Sequence, residues 1–189
     1  LNVPLEPWRG LLPRSWMQEE SITVEWPDQT VSLPRRMAFR YLKIENLGCS
    51  SSFNFAIDSL TFIAESAVDR PETKLESTCP DNVRQIYQVA LNTLHECMQT
   101  VFEDGPKRDR RLWIGDLYLE SLANHYSFRQ YQLVKRCLYL LASVSKNDGV
   151  LISNLLERPY VQAQDNSVAL TYSLLYNSCL LEYLKNTGD

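Results

Sequence analysis

Residues 103–116 read Glu-Asp-Gly-Pro-Lys-Arg-Asp-Arg-Arg-Leu-Trp-Ile-Gly-Asp and gather three aspartates and four cations around a Gly-Pro pair and a tryptophan. Asp104, Asp109 and Asp116 are separated by five and then seven residues. Carboxyl groups brought together in this way can give and take protons in a reaction. A loop that only turns a corner needs Gly, Pro or Asn, not acids interleaved with cations. The plain alternative is a solvated, self-paired ion cluster, which would contribute little to stability.

The elements on either side must hold that loop. Before it, Pro80 suits the first position of a helix and Asp81 its first turn. Apolar residues at 83, 86, 87, 90, 94, 97, 98, 101 and 102 then form one helical stripe, which predicts a helix over about 80–102 that Gly105-Pro106 ends. After the loop, the spacing predicts a helix over 117–126 with Asp116 as its N-cap, and a second over 128–144 carrying Leu133, Cys137, Leu140, Leu141 and Val144. Residues 150–152 read as a short extended piece and 158–159 as a loop. A last helix is expected from a cap at Asp165 or Asn166 to about Lys185, with Gly188 as terminator. Helices of this kind, joined by moderate loops, pack as antiparallel hairpins.

Upstream the periodicity is different. Residues 1–20 are rich in Pro and Trp and form an irregular segment. Residues 22–26, 37–45 and 53–64 alternate and are rich in β-formers, with a turn at Pro27-Asp28, so three strands of antiparallel, sandwich-type structure are expected. Three strands do not make an independent sandwich, and further strands before residue 1 are expected. Residues 69–78 are polar and serve as a linker. The domain reading is therefore 1–68 as the C-terminal part of a β-sandwich, 69–79 as linker, and 80–189 as a helical domain with no strand inside 80–146.

Composition narrows the class. The 189 residues are 44% hydrophobic and 22% charged, as in globular proteins. No apolar run approaches the roughly 18 residues of a membrane span. A net charge of −4 argues against nucleic acid as a partner. Cys49, Cys79, Cys97, Cys137 and Cys179 are odd in number and widely spaced, which favours free buried thiols over disulfides or a zinc site. Residue 1 is Leu and no leader follows it, so localisation is not readable.

The run from Asp104 to Asp116 resembles the active-site signature of bacterial-type α-L-rhamnosidases, glycoside hydrolases that remove terminal rhamnose. The family pattern is an Asp, a Pro two residues on, an Arg with an acid, then Trp-x-Gly-Asp; here these are Asp104, Pro106, Arg108, Asp109, Trp113, Gly115 and Asp116. Phe39-Arg40-Tyr41-Leu42 is similar to a strand that ends a β-sandwich shortly before the family's catalytic domain. The resemblance implies that 80–189 is the first part of an (α/α)6 barrel, and that the chain is a fragment of an inverting glycosidase without a cofactor. It would act on a rhamnose-containing oligosaccharide or glycoside, and its uncovered helix faces would favour self-association.

The resemblance also assigns roles. Asp109, seven residues before Asp116, would be the general acid. The family often has Glu there, and many relatives carry an extra Gly before the Trp. Counting forward from Asp104 would put the acid on Arg110, which cannot donate a catalytic proton, so Asp109 is retained. Asp104 and Asp116 would hydrogen-bond sugar hydroxyls, Arg108 would orient the acid or bind hydroxyls, and Trp113 would face the sugar ring. The family's general base is a Glu in later hairpins. Glu120, Glu157 and Glu182 do not match its context, so the base is expected outside this chain.

Each residue also has a structural reading. Asp116 could serve only as a helix cap and Trp113 as core. Arg110 and Arg111 read as salt-bridged surface, His95 as a packed histidine, and Tyr172, Tyr176 and Tyr183 as core and rim. Two other functions fit the composition. A carbohydrate-binding protein on the same fold would lack the downstream Glu. A helical interaction module would show a repeat of about 34–47 residues, and no such self-similarity is present.

Overall fold

A computed structural model describes residues 19–52, 54–69, 75, 78–107, 110–145, 149–157, 161–163 and 168–189. The chain divides into two compact units, Leu1–Ile63 and Ala64–Asp189.

In the first unit the described residues are extended but form no strand. The turn at Pro27-Asp28 is present, with Asp28 at φ 55°. The three strands expected over 22–26, 37–45 and 53–64 therefore do not form ladders. Alternation gives a segment its two faces, but only a hydrogen-bonded neighbour turns it into a strand. Ile22, Val24, Tyr41, Leu42 and Ile44 all stand exposed, although Tyr41 and Leu42 belong to opposite faces of the alternation. Among the local contacts, Phe39 and Phe62 pack with ring centroids 5.4 Å apart, Arg35 pairs with Glu20, and Lys43 with Glu45.

The second unit contains the elements α1 (Asp81–Cys97), β1 (Leu112–Trp113), α2 (Ile114–Tyr126), α3 (Tyr131–Ser143), β2 (Asn154–Leu156), β3 (Gln162–Ala163) and α4 (Leu170–Thr187). The strands form one antiparallel sheet in the order β1-β2-β3, with Leu112 opposite Leu155 and Trp113 opposite Asn154. The expectation of no strand within 80–146 is thus corrected by β1. Its cause is distant in sequence, because Leu112 and Leu155 are both fully buried and their pairing sets the register.

α1 stops at Cys97, five residues before its apolar stripe ends. Met98 turns extended, and the amide of Gln99 donates to Val101 O at 2.9 Å. The Gln99 side-chain amide donates to Glu96 O and Glu65 O, which fixes the exit. Met98, Val101 and Phe102 are then buried as a compact turn, and the Phe102 amide points at Cys137 Sγ, 3.4 Å away. Of the stripe, Leu94, Cys97, Met98, Val101 and Phe102 are buried while Val83, Ile86 and Ala90 are exposed, and its last third is not helix.

α2 and α3 are in contact and joined by a short turn. The Asn124 Oδ1 accepts from Gln130 N at 2.9 Å, and Asn124 O accepts from Arg129 N at 2.7 Å, with Arg129 at φ 55°. α4 packs on both helices through Tyr176, Cys179 and Tyr183. Gly188 ends it in the left-handed region, as expected, and donates to Leu184 O at 2.8 Å. The expected caps of α4 at Asp165 and Asn166, the loop at 158–159, most of the 69–79 linker and residues 1–18 lie outside the described residues. The extended piece expected at 150–152 lies just before β2. The core joins Met98, Phe102, Leu112, Ile114, Leu117, Val134, Cys137, Leu141 and Leu155. Among the described residues no helix is long and apolar enough to cross a membrane.

Candidate functional site

The acidic-basic loop is closed on itself at its base. Asp104 N donates to Arg111 O at 3.0 Å, and Arg111 N donates to Asp104 Oδ1 at 3.0 Å. One oxygen of Asp104 is thereby committed to shaping the loop. Glu103, buried beside it, is tied to the end of α1 by its amide donating to Cys97 O at 2.9 Å. Arg110 adopts φ 52°, a sharp backbone reversal just before the strand. Arg108 and Asp109 lie outside the described residues.

From there the chain enters β1 and passes directly into α2. The helix begins at Ile114, three residues earlier than expected, and Trp113 occupies the N-cap position without a capping side chain. Asp116 is therefore not the N-cap. It sits half-buried in the first turn of α2, where the exposed amides of the helix terminus favour a negative charge. Trp113 is half-buried rather than plain core, and its ring meets Tyr172 of α4 edge-on with centroids 6.3 Å apart. Its Nε1 is enclosed without a hydrogen-bond partner among the described residues, as is the whole amide of Asn154 opposite it.

Gly115 has a steric reason. A Cβ there would stand 2.8 Å from the Tyr172 ring, so a larger residue would have to push that ring aside. Tyr172 thus belongs to the site's frame, while Tyr176 and Tyr183 serve packing, the former donating to Leu138 O at 2.9 Å. His95 is a packed histidine, as expected, with Nε2 3.0 Å from Val68 O. His125 is also buried, stacked on Tyr131, and held below the ordinary imidazole range by burial, which the charge of Glu182 opposes.

The residue that sequence reasoning passed over is Glu120. It lies four residues after Asp116 on α2, and its Oε2 is enclosed. Burial above all, and then the charge of Asp116, push its carboxyl up to about 8; Asp104 and Glu103 add to the rise and the Cys97 thiol opposes it. Burial, followed by Glu120, pushes the Cys97 thiol up to about 12. The i, i+4 spacing of two acids was the available signal, and the shared environment supplied by α1 and the loop was not visible in sequence. Glu157 and Glu182 are occupied elsewhere: Glu157 pairs with Arg136 and Thr100, and Glu182 with Lys185. Asp104, Asp116 and Glu120, which feel one another's charge, can accept hydrogen bonds from hydroxyls, and Glu120 can hold a proton at neutral pH.

These features agree with the comparisons to known proteins. The model of the bacterial alpha-L-rhamnosidase 6 hairpin glycosidase domain matches residues 72–178. That of the glycosyl hydrolase family 78 alpha-rhamnosidase N-terminal domain matches residues 1–64. Among solved structures, a rhamnosidase from Klebsiella oxytoca with rhamnose bound is similar at 46% identity and a TM-score of 0.58, over 60% of this chain and 22% of that one. The chain thus spans under a quarter of that relative. No curated protein matches.

Proposed function

We propose, from the premise that this chain belongs to the bacterial α-L-rhamnosidase six-hairpin glycosidase family, that the protein hydrolyses terminal α-L-rhamnosyl bonds with inversion. What supports this reading is the loop 103–116, whose base is closed between Asp104 and Arg111 and which runs through β1 directly into α2. A pyranose offers hydroxyls to carboxylates and an apolar face to an aromatic ring, and this stretch carries both kinds of group in Asp104, Trp113 and Asp116.

In this mechanism Asp109 gives its proton to the leaving oxygen as the glycosidic bond breaks. Water attacks the anomeric carbon from the opposite face and loses a proton to a base carboxylate. Asp104 and Asp116 hold sugar hydroxyls, Arg108 orients the acid or binds a hydroxyl, and Trp113 covers the ring. The base is assigned to none of these residues. The helices from residue 80 onward are read as the first hairpins of an (α/α)6 barrel, and 1–68 as the end of a β-sandwich joined to it by 69–79. The substrate class is rhamnose-containing oligosaccharides or glycosides, and the bound sugar of the Klebsiella relative supports it.

The test is the anomer released first from an aryl α-L-rhamnoside by the complete protein, followed by proton NMR before mutarotation. The reading expects β-L-rhamnose. Initial release of the α-anomer, or no release at all, would contradict it.

A further inference from the structure

Residues 65–68 run along the end of α1, and each of them is bound to it. The Gln99 side-chain amide donates to Glu65 O at 3.0 Å and to Glu96 O at 3.1 Å. Ser66 Oγ stands 3.0 Å from His95 O and 3.1 Å from Met98 O, and the Ala67 amide donates to Met98 O at 2.8 Å. Val68 O accepts from His95 Nε2 at 3.0 Å. These bonds meet the helix where its own donors run out. Gln99 is itself buried, and both hydrogens of its amide are used in the join. The bonds continue from there into the acidic loop. Met98 and Phe102 form an antiparallel bridge, and the Glu103 amide donates to Cys97 O at 2.9 Å. The next residue is Asp104, whose amide donates to Arg111 O at 3.0 Å and whose Oδ1 accepts from Arg111 N at 3.0 Å. Val101 and Phe102, between Gln99 and Asp104, are buried, and close-packed side chains pass a displacement on rather than absorb it.

We propose that Gln99 is a positioning residue for Asp104: by tying the turn after α1 to residues 65–68, it fixes where the Asp104 carboxyl meets the sugar. The proposal rests on the reading of Asp104 as a sugar-binding residue. A hydrogen bond to a hydroxyl tolerates only a few tenths of an ångström, and a misplacement of about 1 Å caused far from the chemistry can cost up to about 10²-fold. Gln99 touches no sugar in this arrangement. It acts through the backbone bonds that lead from its own turn to the base of the loop.

The experiment is a double-mutant cycle in the complete protein, with Gln99→Met, Asp104→Asn and the two combined, measured as kcat and KM on an aryl α-L-rhamnoside. Methionine keeps the length of the side chain without its amide donors. In the wild-type background Gln99→Met should raise KM by about three- to tenfold with kcat within about twofold. In the Asp104→Asn background the same change should move KM by less than about twofold, because the carboxylate that it misplaces is already gone. A merely structural role would lower kcat by one factor in both backgrounds and leave KM alone, and that result overturns the proposal. If Gln99→Met does not fold, Ser66→Ala carries the same cycle, and equal losses in both backgrounds overturn the proposal there too. Amide hydrogen exchange gives a reading independent of activity. Gln99→Met should speed exchange of the Glu103 and Asp104 amides by about tenfold or more and leave the Arg129 amide, in the α2–α3 turn, unchanged. Equal acceleration at all three, or none at Glu103 and Asp104, overturns the proposal. Absence of turnover by the wild-type protein counts against the functional reading alone, and the exchange rates then decide whether Gln99 holds the loop.

Discussion

Asp116 and Glu120 differ by one methylene and one helical turn, and burial raises the carboxyl of Glu120. The linkage for Glu120 has a definite sign. Its carboxyl rises from 4.5 to about 8 on folding, so between those values the unfolded chain has lost a proton that the folded chain keeps. Stability therefore falls as pH rises through this window and levels off above it, by an amount on the order of 5 kcal/mol. Urea unfolding at several pH values should show that slope in wild type and not in Glu120→Gln; equal slopes would mean that Glu120 is ionised in the folded protein. Gly115 makes a second prediction at this scale. Gly115→Ala places a methyl against the Tyr172 ring and should cost about 1–3 kcal/mol, read from the urea midpoint. An unchanged midpoint would show that α4 yields freely. The sequence displayed Gly115 and Asp116 through the spacing of the Trp-x-Gly-Asp run. It did not display Glu120, because an acid on a helix looks solvated until α1 and the loop are folded against it.

The elements of the second unit follow local rules except where distant partners intervene. Helical periodicity located α1, α3 and α4, and Gly188 gave the end of the last one. It missed the stop at Cys97, which depends on Gln99 reaching Glu65 O, and the strand Leu112–Trp113, which depends on a partner some forty residues on. It also set Asp116 outside α2, because the strand runs straight into the helix and leaves no room for a separate cap. Asn124 is the hinge between α2 and α3 and carried no sequence signal of its own. It is fully buried and its side chain receives the Gln130 amide, so Asn124→Ala should destabilise by about 1–3 kcal/mol through that orphaned donor. The same loss is expected for Asn124→Leu, whereas Asn124→Asp, which keeps the acceptor, should lose less. Denaturant midpoints for the three variants decide the point, and a ranking with aspartate lowest would contradict this role.

At the scale of the whole molecule, the first 63 residues show why alternation alone is a weak guide. The pattern marked β-forming segments, but ladders need hydrogen-bonded neighbours in register, and among the described residues of this unit no strand is formed. Large apolar side chains stand in solvent in both units, among them Trp26 and Ile63 in the first and Ile86, Leu170 and Leu174 on the helices of the second. Residues 1–189 produced alone should therefore self-associate and should release no rhamnose, since no base is assigned within them. Light scattering and an aryl rhamnoside assay check both; a monodisperse monomer, or turnover above an Asp109→Asn control, would contradict them.

The complete protein offers the most direct test of the central claim, that the loop supplies the acid of a rhamnosidase. Asp109→Asn should slow hydrolysis of rhamnosides with poor leaving groups by about 10² to 10⁴, because those oxygens depart only when protonated. An aryl rhamnoside with an activated leaving group should suffer much less. Asp104→Asn and Asp116→Asn should slow both substrates alike, since each removes contacts to the sugar itself. The deciding quantity is the ratio of the two substrates' losses, measured as kcat/KM for each variant. A large ratio for Asp109→Asn and a ratio near one for the other two is the predicted result; equal losses for Asp109→Asn, with the leaving-group dependence appearing in Asp104→Asn instead, would contradict the account.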